Sequence, residues 1–251
     1  MTAQSSVARS GLARAPIRVL CTLALMAAMP RLCQTFESRA PVNIQTEFGP
    51  TNVLLELIRK GTVADIAIMT RASIDENTGD GTFDPVSRTD LALAHVGVAV
   101  RAGAPQPDIR SVEAFRLALL QARSVAYSRT GASGIYFAEL IRRLGIENDV
   151  NSKAVVTPGG LTAQCVADGR CDLAIQQISE LLTVPGVDIV GPLPPGIENS
   201  TIFTGAVFGG SKTHEHARAF LQFLASPDAS SVMRSTGLDA PPLLAPVVSE
   251  R

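Results

Sequence analysis

The residues best placed to do chemistry lie between Ser124 and Gly145, SVAYSRTGASGIYFAELIRRLG, where a short apolar strand passes through a polar turn into an amphipathic helix. That layout is an anion-binding helix N-terminus. Gly131 and Gly134 let the backbone turn tightly, Ser128, Thr130 and Ser133 add hydroxyls, and the first unpaired N–H groups of the helix point at negative charge. Arg129 is the nearby cation, and a guanidinium at such a mouth forks onto a carboxylate. GPTN, residues 49–52, offers Thr51 and Asn52 at a second strand-to-helix turn, and TPGG, residues 157–160, offers Gly159 and Gly160 at a third. LAIQQIS, residues 173–179, ends a strand in Gln176 and Gln177, so adjacent amides serve opposite faces of a sheet or its rim. Singly, each turn also reads as helix capping, and Arg129 as a surface side chain. Together they describe a cleft for a small anion, at the carboxyl edges of parallel strands where open α/β folds hold ligands.

Other chemistries lack their residues. DENTGDGTFD, residues 75–84, has Asp80 where a calcium loop needs glycine and no closing glutamate, so a solvated loop is expected. His214 and His216 sit at a helix start, and the third histidine is the distant His95, so no metal site and no cofactor are expected. There is no G-x-S-x-G elbow, phosphate-binding P-loop or dinucleotide fingerprint. Cys21, Cys33, Cys165 and Cys171 contain no C-x-x-C pair. Cys165 and Cys171 bracket VADGR and could close a small disulfide in an oxidising compartment, the plainer reading being four packed thiols.

The elements that must position this cleft alternate strand and helix along the chain, which predicts an α/β protein with mainly parallel sheets. Strands are expected at 17–25, 42–48, 64–70, 90–103, 124–128, 153–158, 173–179, 187–194 and 201–210. Helices are expected at 26–39, 53–60, 111–122, 134–144 and 161–168, with two more between 213 and 237. Residues 75–90 read as polar and turn-rich, and residues 1–16 as a flexible extension. The 251 residues suffice for two lobes. A net charge of −1 with 18% charged residues gives no global attraction to nucleic acid, so anion affinity must be local. No tryptophan and two tyrosines disfavour base-stacking platforms. No apolar run reaches the ~18 residues of a spanning helix, although RAPIRVLCTLALMAAMPRLC also has the basic-then-apolar form of a signal peptide.

IRVLCTLAL, EFGPTNVLLELIRKGTVADIAIMT, RTDLALAHVGVAVRAGAP, YSRTGASGIYFAELIRRLGI, DLAIQQISELL and AFLQFLASPDA together make residues 17–237 resemble the molybdate-binding-like periplasmic solute-binding proteins. The resemblance implies the two-lobed class II fold, each lobe a mostly parallel sheet flanked by helices. Lobe 1 would comprise 17–101 and 202–251, lobe 2 would comprise 102–201, and the ligand would be held between them by hinge closure. It implies a monomer serving an ABC-type membrane permease from the periplasm. It also makes IRVLCTLAL a core strand, so no separate cleavable signal peptide is evident and retention inside the cell is the alternative. Molybdate binders carry a serine where Ala24 stands, serines where GPTN stands and a tyrosine near Gln177. Each charge-assisted hydrogen bond lost costs roughly 1.5–3 kcal/mol, which points away from molybdate toward an organic di- or tricarboxylate. The expected ligand set is Thr22, Thr51, Asn52, Ser128, Arg129, Ser133, Gly159, Gly160, Gln176 and Gln177.

Two functions follow, a small-anion binding protein as the favoured reading and an isomerase as the alternative. A binding protein needs affinity and closure alone. An isomerase on the same cleft, moving a proton 1,3 along an unsaturated tricarboxylate such as aconitate, also needs one proton carrier of tuned pKa. The candidates are Tyr127, Glu47 and Glu180, each of which also has an ordinary structural reading.

Overall fold

A computed structural model of the chain describes residues 16–242, so most of the predicted N-terminal extension and the end of the C-terminal tail lie outside the described residues. The chain runs β1 (Ile17–Thr22), a 3-10 turn (Leu23–Leu25), α1 (Met29–Arg39), β2 (Ile44–Gly49), α2 (Thr51–Arg59), β3 (Ile66–Thr70) and α3 (Arg71–Thr78). A second 3-10 turn (Pro85–Ser87) leads to β4 (Thr89–Arg101), α4 (Val112–Gln121), β5 (Val125–Ser128), α5 (Ala132–Arg143), α6 (Glu147–Asn151), β6 (Ala154–Thr157) and α7 (Ala163–Ala167). It closes with β7 (Leu173–Gln177), α8 (Ile178–Leu181), β8 (Val187–Pro192), β9 (Ser200–Val207), α9 (His214–Leu224) and α10 (Pro227–Arg234).

The strands order β2-β1-β3-β9-β4-β7-β5-β6, with β8 also on β4. β2, β1 and β3 are parallel, as are β7, β5 and β6, while β9 and β4 run antiparallel to their neighbours. The long β4 spans both halves: Thr89–His95 pairs with β9, and Val96–Arg101 pairs with β7 and β8. Apolar side chains bury both faces of the central strands, as parallel sheets covered by helices require. One set of cores is built from residues between Ile17 and Ala94 and again from Phe203 to Leu238. The other set is drawn from residues 96–197. α5 shows the local logic: Ser133, Gly134, Phe137, Leu140 and Ile141 form its buried stripe. It stops at Gly145, whose φ of 68° suits a Schellman end closed by Ile146 N donating to Ile141 O at 3.0 Å.

Three local expectations change in ways that matter for the cleft. The first strand stops at Thr22, and Leu23–Leu25 form a 3-10 turn before α1 starts at Met29 with Pro30 in its first turn. LAIQQIS stops as a strand at Gln177, and Ile178 onward turns helical, which swings Glu180 inward. Residues 75–78 belong to a helix, not to the expected loop. Ile74 is fully buried beneath it, and Asp75 pairs with Arg88. The four cysteines are free thiols, and burial pushes Cys171 up to about 11.

Candidate functional site: a neutral cleft around Glu180

Parallel strands end together, so the turns after β1, β2, β5 and β7 meet in one place. Thr22, Leu23, Pro50 and Thr51 face Ser128, Gly131, Ala132, Gly160, Gln176, Gln177 and Glu180 across a narrow pocket that Phe203 helps to line. Seven of the sequence-predicted residues thus share one cavity: Thr22, Thr51, Ser128, Gly160, Gln176, Gln177 and Glu180. Among the described residues lining it there is no arginine or lysine.

Its polarity comes from oriented dipoles. Ser128 Oγ accepts from Gly131 N at 3.2 Å, Thr22 Oγ1 from Ala24 N at 3.4 Å, and Thr51 Oγ1 from Thr70 N at 3.4 Å. A hydroxyl that already accepts keeps its own hydrogen to donate. Each of the three hydroxyls thus keeps a hydrogen available to donate. The opening N–H groups of α2 and α5 lack intrahelical carbonyl partners and add to them.

Gln176 is locked by its surroundings. Its Oε1 accepts from Thr162 N and Thr162 Oγ1, both at 2.8 Å, and its Nε2 donates to Gly160 O at 2.9 Å. Glu180 sits beside that amide. Burial pushes its carboxyl up from 4.5 to about 8, with the Gln176 hydrogen bond pulling more weakly the other way. At neutral pH Glu180 is therefore mostly protonated, and an anion can enter without meeting a like charge. Gln177 donates from Nε2 to Thr201 Oγ1 at 3.1 Å, while its buried Oε1 has no protein partner.

The other predicted residues lie elsewhere. Arg129 is exposed and lines a neighbouring hollow with Tyr127, Ile135 and Asn151, which shares Ser128 with the pocket. Tyr127 donates from its hydroxyl to Asn151 Oδ1 at 2.7 Å and packs against Phe137, as a core tyrosine does. Glu47 is exposed on β2, beside Arg18 and Val63. Ser133 is buried at the start of α5 without lining the pocket. Asn52 and Gly159 form the lip where the halves touch: Asn52 Nδ2 donates to Thr130 O at 3.4 Å, and a Cβ on Gly159 would lie 3.5 Å from Pro50 Cγ. Sequence reasoning missed Leu23, Pro50, Ala132 and Phe203 as lining residues. None of them carries a polar signal by which it could have been found. It also missed Thr162, whose role in orienting Gln176 depends on a contact 14 residues away.

The raised carboxyl makes a stability prediction. Between about pH 4.5 and 8 the unfolded chain releases the Glu180 proton while the folded chain keeps it. Stability from this group is thus full below 4.5 and lost as pH rises toward 8. Each unit is worth about 1.4 kcal/mol, so Glu180→Gln should be more stable than the parent by several kcal/mol at about pH 8. Paired thermal or urea melts should show that advantage shrinking steadily as the pH is lowered to 4.5.

A cleft between two α/β halves that share a strand, lined by helix N-termini, defines a solute-binding architecture. Residues 17–239 match the model of the bacterial extracellular solute-binding proteins, and the chain belongs to that family. It is 33% identical over 240 residues to a protein named aconitate isomerase from Pseudomonas sp, covering 92% of this chain and 91% of that one. Among solved structures, the periplasmic molybdate-binding protein of Azotobacter vinelandii superposes with a TM-score of 0.75 at 16% identity, over 90% of this chain and 100% of that one. The sulfate-binding protein SubI of Mycobacterium tuberculosis H37Rv gives 0.69 at 18% identity, over 90% and 86%. At such identities the likeness is one of fold, the two-lobed periplasmic-binding-protein fold.

Proposed function

We propose that this chain is an isomerase that moves a proton 1,3 along an unsaturated tricarboxylate, with aconitate as its first candidate substrate. The observation that carries the reading is Glu180, a buried carboxyl at the pocket wall whose pKa is pushed up to about 8. A neutral carboxyl could also donate a hydrogen bond to a captured anion, but proton transfer in addition requires a carrier whose pKa lies near working pH, and Glu180 supplies one. The near full-length likeness to a protein named aconitate isomerase supports the same reading.

The step balances on one residue. The Glu180 carboxylate takes a proton from the methylene carbon of the substrate, and the C–H electron pair spreads over the allylic carbons and the adjoining carboxylate. Glu180 then returns the proton to the former vinyl carbon, and the double bond moves over by one position. No oxidant or external acid is consumed. The N-termini of α2 and α5 and the hydroxyls of Thr22, Thr51 and Ser128 hold the carboxylates and steady the enolate-like charge. Leu23, Pro50 and Phe203 keep water away from the carbanion. In this reading the lobes are residues 17–101 with 202–251, and 102–201, closing on the substrate.

The test is NMR of cis- and trans-aconitate with the purified protein in heavy water. Both isomers should drift to one mixture, with deuterium entering the methylene and vinyl positions to the extent that the Glu180 proton exchanges with solvent before it returns to carbon. Family membership favours a second reading, capture of a carboxylate for an ABC-type permease. A ligand at a hundred times its Kd stabilises by about 2.7 kcal/mol, so thermal stabilisation by aconitate without turnover would establish that reading and remove the isomerase.

A further inference from the structure

Glu180 projects from α8, a single helical turn that packs on β7, β4 and β8 and also against the 3-10 turn Leu23–Leu25 that follows β1. Two glycines let it sit there. A Cβ on Gly97, in the half of β4 that pairs with β7, would lie 2.5 Å from Ile178 Cγ1 and 2.8 Å from Gly191 O. A Cβ on Gly237, after α10, would lie 2.7 Å from Leu182 Cδ1 and 3.5 Å from Ser179 Cα, and its φ of 83° favours glycine. At Gly97 one obstacle is backbone and leaves no room for a methyl group, whereas at Gly237 the Leu182 side-chain end can give and the positive φ is what disfavours one. The turn carrying Glu180 is thus wedged between the strand shared by both halves and a segment from the chain's C-terminal part.

We propose that Gly97 and Gly237 are positioning residues that seat α8 so that Glu180 stays sealed against Gln176. The proposal rests on the reading of Glu180 as proton carrier and adds what sets its protonation. Charged groups on the surrounding elements do not set it. β7 and the 3-10 turn carry none. On β4, Asp90 is held by Arg71 and Thr204, His95 lies 3.0 Å from Asp239 of the C-terminal segment, and Arg101 is exposed at the far end. Asp188 on β8 accepts from Gly103 N. None of them contributes to the shift at Glu180, which comes from burial and Gln176. Anything that unseats α8 therefore admits water to Glu180 and lowers its pKa.

The test is infrared titration of the Glu180 carboxyl band in the full chain from about pH 4 to 10, with Glu180→Gln assigning the band. The parent midpoint should fall near 8. Gly97→Ala, which pushes Ile178 away, should lower it by at least about one unit. Ile178→Ala, which loosens the same seat by removing packing instead of adding it, should do likewise and covers the case in which Gly97→Ala does not fold. Unchanged midpoints in the folded variants overturn the proposal, as does a parent midpoint near 4.5. Lowered midpoints in a protein that never turns aconitate over leave the positioning role standing and remove the isomerase. A protein that turns over normally with midpoints unmoved does the reverse.

Discussion

Replacing Glu180 by glutamine should lower turnover of aconitate by roughly 10²–10⁴-fold, the usual contribution of a positioned acid–base group, with KM changed only a few-fold. The amide keeps the size and the hydrogen bonding toward Gln176 but cannot carry a proton to carbon. Binding should survive because the donors proposed to hold the carboxylates, on α2, α5, Thr22, Thr51 and Ser128, are untouched. On the isomerase proposal the form that abstracts the proton is the carboxylate, the minor form at neutral pH because burial pushes Glu180 up to about 8. The kcat/KM should therefore climb with pH and level off as pH passes 8. Steady-state rates across that range, with deuterium wash-in followed in parallel, decide the matter. A variant that still exchanges deuterium at the parent rate would exclude Glu180 as the carrier, and a flat profile would exclude its raised pKa from the rate.

The same residues show what a sequence can and cannot display. The turn from Ser128 to Gly134 was legible because a polar, glycine-bearing break between an apolar strand and an amphipathic stripe is a local pattern. Which side chain of that turn meets the ligand was not. Successive residues at a strand end point to opposite sides, and the register puts the buried Ser128 into the cleft while Arg129 turns outward. A one-residue offset thus leaves this pocket lined by neutral donors, with Arg129 outside it. Glu47 and Glu180 are indistinguishable as letters; of the two, Glu180 alone is enclosed, because LAIQQ turns into a helix at Ile178 instead of running on as a strand. The alternation of strands and helices gave the α/β class. The antiparallel passage through β9 and β4 rests on pairings such as Ala67 with Ala206 and Ala92 with Phe203, which no local window contains. α3 was obscured by its polar residues, since one buried side chain, Ile74, is all that its eight residues commit to a core.

A methyl group at Gly134 is the second substitution expected to have a large effect, and it tests the anion cradle independently of any catalysis. A Cβ there would lie 1.8 Å from Ser128 O and 2.7 Å from Ser128 C, so the obstacle is main chain and cannot rotate away. Either α5 retreats from the end of β5 or β5 shifts within its sheet, and both withdraw donors from the cleft. Overpacking of this kind costs roughly 1–3 kcal/mol and occasionally more. For a chain of this size that corresponds to a melting temperature lower by up to about 10 °C. Thermal melts of Gly134→Ala should show that drop, and stabilisation by an added carboxylate ligand should be lost. Gly131→Ala supplies the contrast. Its Cβ would meet Ser128 Oγ at 2.6 Å and Ser128 Cβ only at 3.7 Å, so Ser128→Ala should rescue the fold of Gly131→Ala and leave Gly134→Ala unrescued. If both variants were rescued, the close approach of α5 to the Ser128 carbonyl would not be what shapes the site. Rescue of the first alone would tie the anion cradle to the tight exit of the chain from β5, where a glycine at position 134 is the condition for the helix to begin facing the cleft.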